Sequence, residues 1–97
     1  MVFTRRELSH ARASAAPAEA LCAAFCAKEA LFKALGIPVE YTDGELLLQG
    51  RGEDQRLELA PALRAAHGIA RSKALIRWPN EQECLAVVYL FGQASLR

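Results

Sequence analysis

Two hydrophobic spacings divide the chain, and they meet at Gly36. Up to Leu35 the apolar residues fall at helical intervals, whereas beyond Gly36 the period changes to that of strands. Thr4-Arg5-Arg6-Glu7 has the form of a capping box: Thr4 accepts from the backbone N–H three residues on, and Glu7 reaches back. It predicts a short helix over 5–13, followed by a loop over 13–16. Pro17 suits the first turn of a second helix. That helix, the longest element, runs to Leu35, where Gly36 supplies a left-handed stop and Pro38 prevents continuation.

Further on, 39–42 and 45–49 read as strands flanking Asp43-Gly44, a strong hairpin turn signal. Gly50-Arg51-Gly52-Glu53-Asp54 is a second turn, and 56–59 forms another strand. Pro61 opens a short helix over 62–67, closed by Gly68. A final strand pair, 72–78 and 83–91, surrounds Pro79-Asn80-Glu81-Gln82. With no repeat, linker or low-complexity tract, residues 1–97 make one α+β domain. In it one long helix and a shorter helix pack on a small antiparallel sheet.

The long helix carries charges where packing alone would not put them. With Phe25 at the origin and about 100° per residue, Leu21, Phe32 and Leu35 fall within about 80° on one side and define a buried stripe. Lys28 falls at about −60°, inside that stripe; Glu29 lies at about +40°, beside Phe25, and Lys33 at about +80°. Unpaired charges are costly to bury. By periodicity alone, Glu29 and Lys33 form an i, i+4 surface pair and Lys28 snorkels from the stripe's edge.

Composition narrows the function classes. A chain of 97 residues buries only about 60–70% of its unfolded surface, so its core is modest and oligomerisation would help it. An apolar fraction of 53% is too high for a disordered tail. No apolar run reaches the roughly 18 residues of a membrane span. Met1-Val2-Phe3-Thr4-Arg5-Arg6 lacks the apolar core of a signal peptide. Three cysteines, an odd number, argue against a disulfide framework and for a cytoplasmic protein with reduced thiols. The net charge of +1 gives no global bias towards nucleic acid or membranes. Locally, Arg5, Arg6 and Arg12 are basic, as are Arg71, Lys73 and Arg77, while Glu40, Asp43, Glu45, Glu53, Asp54 and Glu58 make the middle acidic. Such a pattern is either a solvated mixed surface or a basic face that meets an acidic protein or a polyphosphate.

Phe25, Lys28, Glu29, Ala30, Lys33, Ala34 and Gly36 stand at the spacing of an aromatic residue, two variable positions, Lys-Glu-Ala, two more, Lys-Ala and a nearby Gly. This stretch resembles the coenzyme A and magnesium helix of the 4′-phosphopantetheinyl transferases. Val2-Phe3-Thr4-Arg5-Arg6-Glu7-Leu8 resembles the Phe-Thr-x-x-Glu-Leu segment preceding that helix in holo-acyl-carrier-protein synthases. The order of elements after Gly36 is similar too. The resemblance implies transfer of the phosphopantetheine arm of coenzyme A to a serine of a carrier protein, with 3′,5′-ADP leaving. It implies Glu29 as a catalytic carboxylate and magnesium ligand, Lys33 as a catalytic cation on phosphate, and Lys28 as a second cation for the coenzyme A phosphates. It also implies an acidic acyl carrier protein docking on Arg5, Arg6 and Arg12, and a homo-oligomer, because such enzymes build their sites at interfaces between protomers or pseudo-repeats.

Two family features have no match. The Gly-x-Asp strand, whose aspartate is the other magnesium ligand, is not found in the chain, and Ile76-Arg77-Trp78-Pro79 stands where a Ser-x-Ser-His-like segment is expected. Three readings stay open: an aspartate encoded upstream, a ligand supplied by another chain, or a degenerate, non-catalytic member acting as an oligomerising or carrier-binding module. Other signals are weaker. Cys22 and Cys26, one turn apart, could offer two thiolates to a soft metal but read better as small core residues, with Cys84 far away in sequence. His67 reads as a helix C-terminal cation and His10 as exposed. Gly50-Arg51-Gly52 resembles a phosphate loop only superficially, and Trp78 suits the core or a hairpin end better than an interface.

Overall fold

Both N-terminal helices form where local chemistry places them. The computed structural model describes residues 1–37, 40–50, 52–80 and 83–92. Helix α1 spans Arg5–Ala13, and its capping box is complete: Glu7 N donates to Thr4 Oγ1 at 3.1 Å, and Thr4 N donates to Glu7 Oε1 at 2.8 Å. Helix α2 spans Pro17–Leu35 and ends on Gly36, whose φ of 68° is the left-handed conformation that a Cβ disfavours. Helix α3, Pro61–His67, stops at Gly68 in the same way, with His67 in its last turn.

The sheet is a four-stranded antiparallel meander in the order β1 (Gly44–Leu46), β2 (Asp54–Leu59), β3 (Ile69–Asn80), β4 (Glu83–Gly92). Leu46 faces Leu57 across β1 and β2, Gln55 faces Ala74 across β2 and β3, and Ala74 faces Val88 across β3 and β4. Alternation aims Leu57, Leu59, Ala74 and Ile76 inward, where they meet Ala23, Ala24, Ala27 and Leu31 of α2. Buried Gln55 is fully used: its amide accepts from Gln49 N and donates to the carbonyls of Gln49 and Gly52, closing the turn before β2.

The structure corrects four expectations. No hairpin forms at Asp43-Gly44. Tyr41–Asp43 is a 3₁₀ turn instead, closed by Asp43 N to Glu40 O at 3.0 Å and by Glu40 N to Asp43 Oδ2 at 3.2 Å. Aspartate readily bonds local backbone, so it can end a strand as easily as turn a hairpin. Gly44 is needed for close approach rather than for a turn, since a Cβ there would sit 3.0 Å from Leu31 Cδ2. Second, β1 covers only 44–46, while β3 begins at Ile69, earlier than 72. Third, His10 is half-buried, with Nε2 2.6 Å from Leu48 O. Fourth, the buried face of α2 is the alanine face with Lys28 and Leu31, while Phe25 is 41% exposed. That face lies roughly a quarter of a turn from the expected stripe. Alanine lets the helix lie close to the sheet, and a helix apolar on several sides has no single face that periodicity can select.

Trp78 packs at the margin of the core, as expected. Pro38, Val39, Arg51, Glu81 and Gln82 lie outside the described residues, so the stop at Pro38, the strand start at 39 and parts of both turns are not described.

Candidate active site

Lys28 and Glu29 are neighbours in sequence and have opposite fates. Lys28 is fully buried. Its ammonium has three protons. They are spent on Glu7 Oε1, Tyr41 O and Gly44 O, each at 2.7 Å. Glu7, itself buried, also accepts from Leu46 N through Oε2 at 2.9 Å. Both charges are therefore paired and hydrogen-bonded on every side, the condition under which burial is tolerated. Lys28 neither snorkels nor presents a cation to the surface. In this arrangement it holds no proton for a coenzyme A phosphate, and it ties α1, α2 and β1 together.

Glu29, one residue on, is half-buried at the opposite edge of the helix. The Tyr41 hydroxyl donates to its Oε1 at 2.6 Å. The Tyr41 ring stacks on Phe25 (centroids 6.0 Å, 11° between planes) and meets the edge of Phe32 (4.7 Å, 67°). Phe25 and Phe32 thus serve the site rather than the core. Lys28 grips the Tyr41 carbonyl while Glu29 takes its hydroxyl, so the buried pair sets the position of the residue that orients Glu29. No ion pair joins Glu29 to Lys33 among the described residues; Lys33 is exposed one turn further along α2.

The Tyr41 phenol is held above its ordinary value, chiefly because its hydroxyl donates a hydrogen bond to Glu29, with burial and the carboxylate's charge adding to this. A raised value in the folded state means the contact is intact below the unfolded phenol's value of about 10 and fades as pH rises beyond it. At neutral pH it holds Glu29 in place. Sequence reasoning missed Tyr41, since 39–42 read as strand, and no local signal marks a tyrosine as the partner of a glutamate twelve residues earlier.

One Glu29 oxygen makes no hydrogen bond among the described residues. A single open carboxylate oxygen suits magnesium, which takes one or two carboxylates and completes its octahedron with water and substrate phosphate. Glu29 belongs to no cluster of three or more metal-ligating side chains among the described residues, so it fits as one ligand rather than as a cage. Arg5 and Arg12 are exposed and, seven residues apart, share one face of α1. Arg6 pairs with Glu45 at 2.9 Å.

The family model for the 4′-phosphopantetheinyl transferase superfamily matches residues 1–87. The chain belongs to that superfamily. No curated protein sequence matches it. Among solved structures, holo-acyl-carrier-protein synthase from Neisseria meningitidis matches with a TM-score of 0.76 and 25% identity, covering 93% of this chain and 76% of that one. The α+β architecture is therefore that of the superfamily, and Glu29 and Lys33 sit on its long helix. Among the described residues no helix is long and apolar enough to cross a membrane.

Proposed function

We propose that this superfamily member transfers the 4′-phosphopantetheine arm of coenzyme A to a serine of an acyl carrier protein. The observation that carries the reading is Glu29, oriented by Tyr41 at one oxygen and open at the other, with exposed Lys33 one turn along the same helix. In the proposed reaction the serine oxygen bonds to the β-phosphorus of coenzyme A, the pyrophosphate bridge breaks, and 3′,5′-ADP departs. Glu29 would hold magnesium through its open oxygen, and the ion when bound would neutralise pyrophosphate charge. Glu29 also stands to take the serine proton, directly or through water. Lys33 contributes positive charge to phosphate without needing a fixed geometry, as a lysine on a flexible stem can. Lys28 acts from a distance, by positioning Tyr41. The carrier, acidic in this reading, docks on α1 at Arg5 and Arg12, with Arg6 already engaged to Glu45. The protein works in the cytoplasm, with its thiols reduced.

The test is incubation with apo carrier proteins, coenzyme A and magnesium, read by the mass of the arm added to the carrier. No gain over several carriers would count against the reading. Tyr41→Phe should fold normally and weaken magnesium-dependent coenzyme A binding about 10–100-fold, the usual effect of losing a group that orients a ligand. Unchanged magnesium dependence in that variant would remove Tyr41 from the site.

A second reading, a non-catalytic oligomerising module, draws on β4. Leu85, Val87, Tyr89 and Phe91 form an exposed row on the outer face of the sheet, Leu85 at 56%. Arg71 and Lys73 lie 5.0 and 5.4 Å from the Phe91 and Tyr89 ring centroids. We expect this row to join copies of the chain in either reading. Light scattering should show an oligomer that Val87→Lys dissociates; a wild-type monomer would exclude it. Oligomers without transfer activity would select the second reading.

A further inference from the structure

Three thiols, two of them neighbours on α2 and the third far along the chain on β4, converge where helix and strand meet. Cys22 and Cys26 lie one turn apart on the helix, and Cys84 reaches them from the strand beneath. Their sulfur atoms all lie within 4.8 Å of one another, and each residue is half-buried, neither sealed into the core nor free in bulk water. We infer that Cys22, Cys26 and Cys84 form a three-thiolate site for a soft, thiophilic metal ion.

The geometry requires little movement. Metal–sulfur bonds of about 2.3 Å set neighbouring sulfurs about 3.8–4 Å apart, so the triad needs to contract by at most about 1 Å. No histidine or carboxylate joins the cluster among the described residues. An all-sulfur donor set selects soft ions such as zinc, cadmium or monovalent copper over magnesium or calcium. With three protein ligands, a fourth position stays open to water or an exogenous thiol, unlike a closed four-cysteine site.

A disulfide within the helix does not explain the cluster. On one helix turn the Cβ atoms of Cys22 and Cys26 stand about 5–6 Å apart, beyond the about 3.5–4.5 Å that a disulfide needs. Burial, then the neighbouring thiols, pushes Cys84 well above the ordinary range, and Cys26 is raised in the same way. At neutral pH these two thiols are protonated. Binding then breaks three S–H bonds, forms three metal–sulfur bonds and releases three protons to solvent, with no change of oxidation state.

The experiment is an anaerobic titration of the full chain with cadmium chloride in a phosphine reductant. It is followed by the sulfur-to-cadmium charge-transfer band and by native mass spectrometry. The expected result is saturation at one cadmium per chain, a melting temperature raised by the metal, and competition from zinc in large excess. Cys84→Ser and Cys26→Ser, with circular dichroism confirming their fold, should each weaken cadmium by more than the about 10–100-fold that loss of an outer partner costs. Cys84→Ala serves if the serine variant does not fold. Absence of the band, binding without saturation, or wild-type affinity in either Cys84 variant would overturn the site. Because no carrier protein or coenzyme A enters the assay, the result is independent of the proposed transfer activity.

Discussion

Replacing Lys28 with methionine should destabilise the protein by about 3–5 kcal/mol, the usual cost of leaving one partner of a buried ion pair alone. Domains of this kind have only about 5–15 kcal/mol in total. The variant should therefore unfold at much lower urea concentration. Its size follows from the number of groups that lose a partner. Glu7 would lose its counter-ion in a buried site it shares with Leu46 N and Thr4 N, and the carbonyls of Tyr41 and Gly44 would lose their donor. Glu7→Gln combined with Lys28→Met removes the stranded charge but not the stranded carbonyls. The double variant should consequently cost less than the two single changes added together, by about 0.5–3 kcal/mol in a double-mutant cycle. Additive costs, or a Lys28→Met variant within about 1 kcal/mol of wild type, would show that the pair is not held as described.

The same change should reach the candidate active site. Lys28 fixes the Tyr41 carbonyl, and Tyr41 fixes Glu29, so a folded residue of Lys28→Met at low temperature should bind coenzyme A with weaker magnesium dependence. Lys28→Arg is not a conservative rescue. Guanidinium is planar and cannot reproduce three donors aimed at a carboxylate and two carbonyls on different elements.

Glu29→Gln is the second large expected effect, this time on chemistry with little on stability. Glutamine keeps an oxygen that can accept from Tyr41, so the aromatic cradle of Phe25 and Phe32 should stay intact while the negative charge is lost. If Glu29 is both metal ligand and proton acceptor, transfer to a carrier should fall about 10²–10⁴-fold, and magnesium should no longer strengthen coenzyme A binding. Lys33→Ala should reduce transfer without touching the fold, since Lys33 is exposed. The measurements are carrier mass gain and magnesium-dependent coenzyme A binding, with urea midpoints as the control. Full transfer by Glu29→Gln would sink the mechanism even in an active enzyme. An inactive wild type that still oligomerises would instead favour the interaction module.

The contrast between residues 28 and 29 shows how far the sequence could be read. The helices were legible because their determinants are local: Thr4 and Glu7 at a cap, Pro17 at a first turn, Gly36 and Gly68 at left-handed stops. The helix motif was legible because residue types at fixed spacing on one helix keep that spacing in any fold that retains it. Sequence alone thus determined the α+β order, both long-helix boundaries, and the presence of Glu29 and Lys33 one turn apart. It could not determine which side of an alanine-rich helix meets the sheet, and that rotation decides everything nearby. It buried Lys28 against Glu7 instead of presenting it, and sent Phe25 and Phe32 to Tyr41. It also left Glu29 at the edge, and set Cys84 beside Cys22 and Cys26. Such pairings join residues far apart along the chain through burial and hydrogen-bond satisfaction. Only the packed tertiary structure brings those forces to bear.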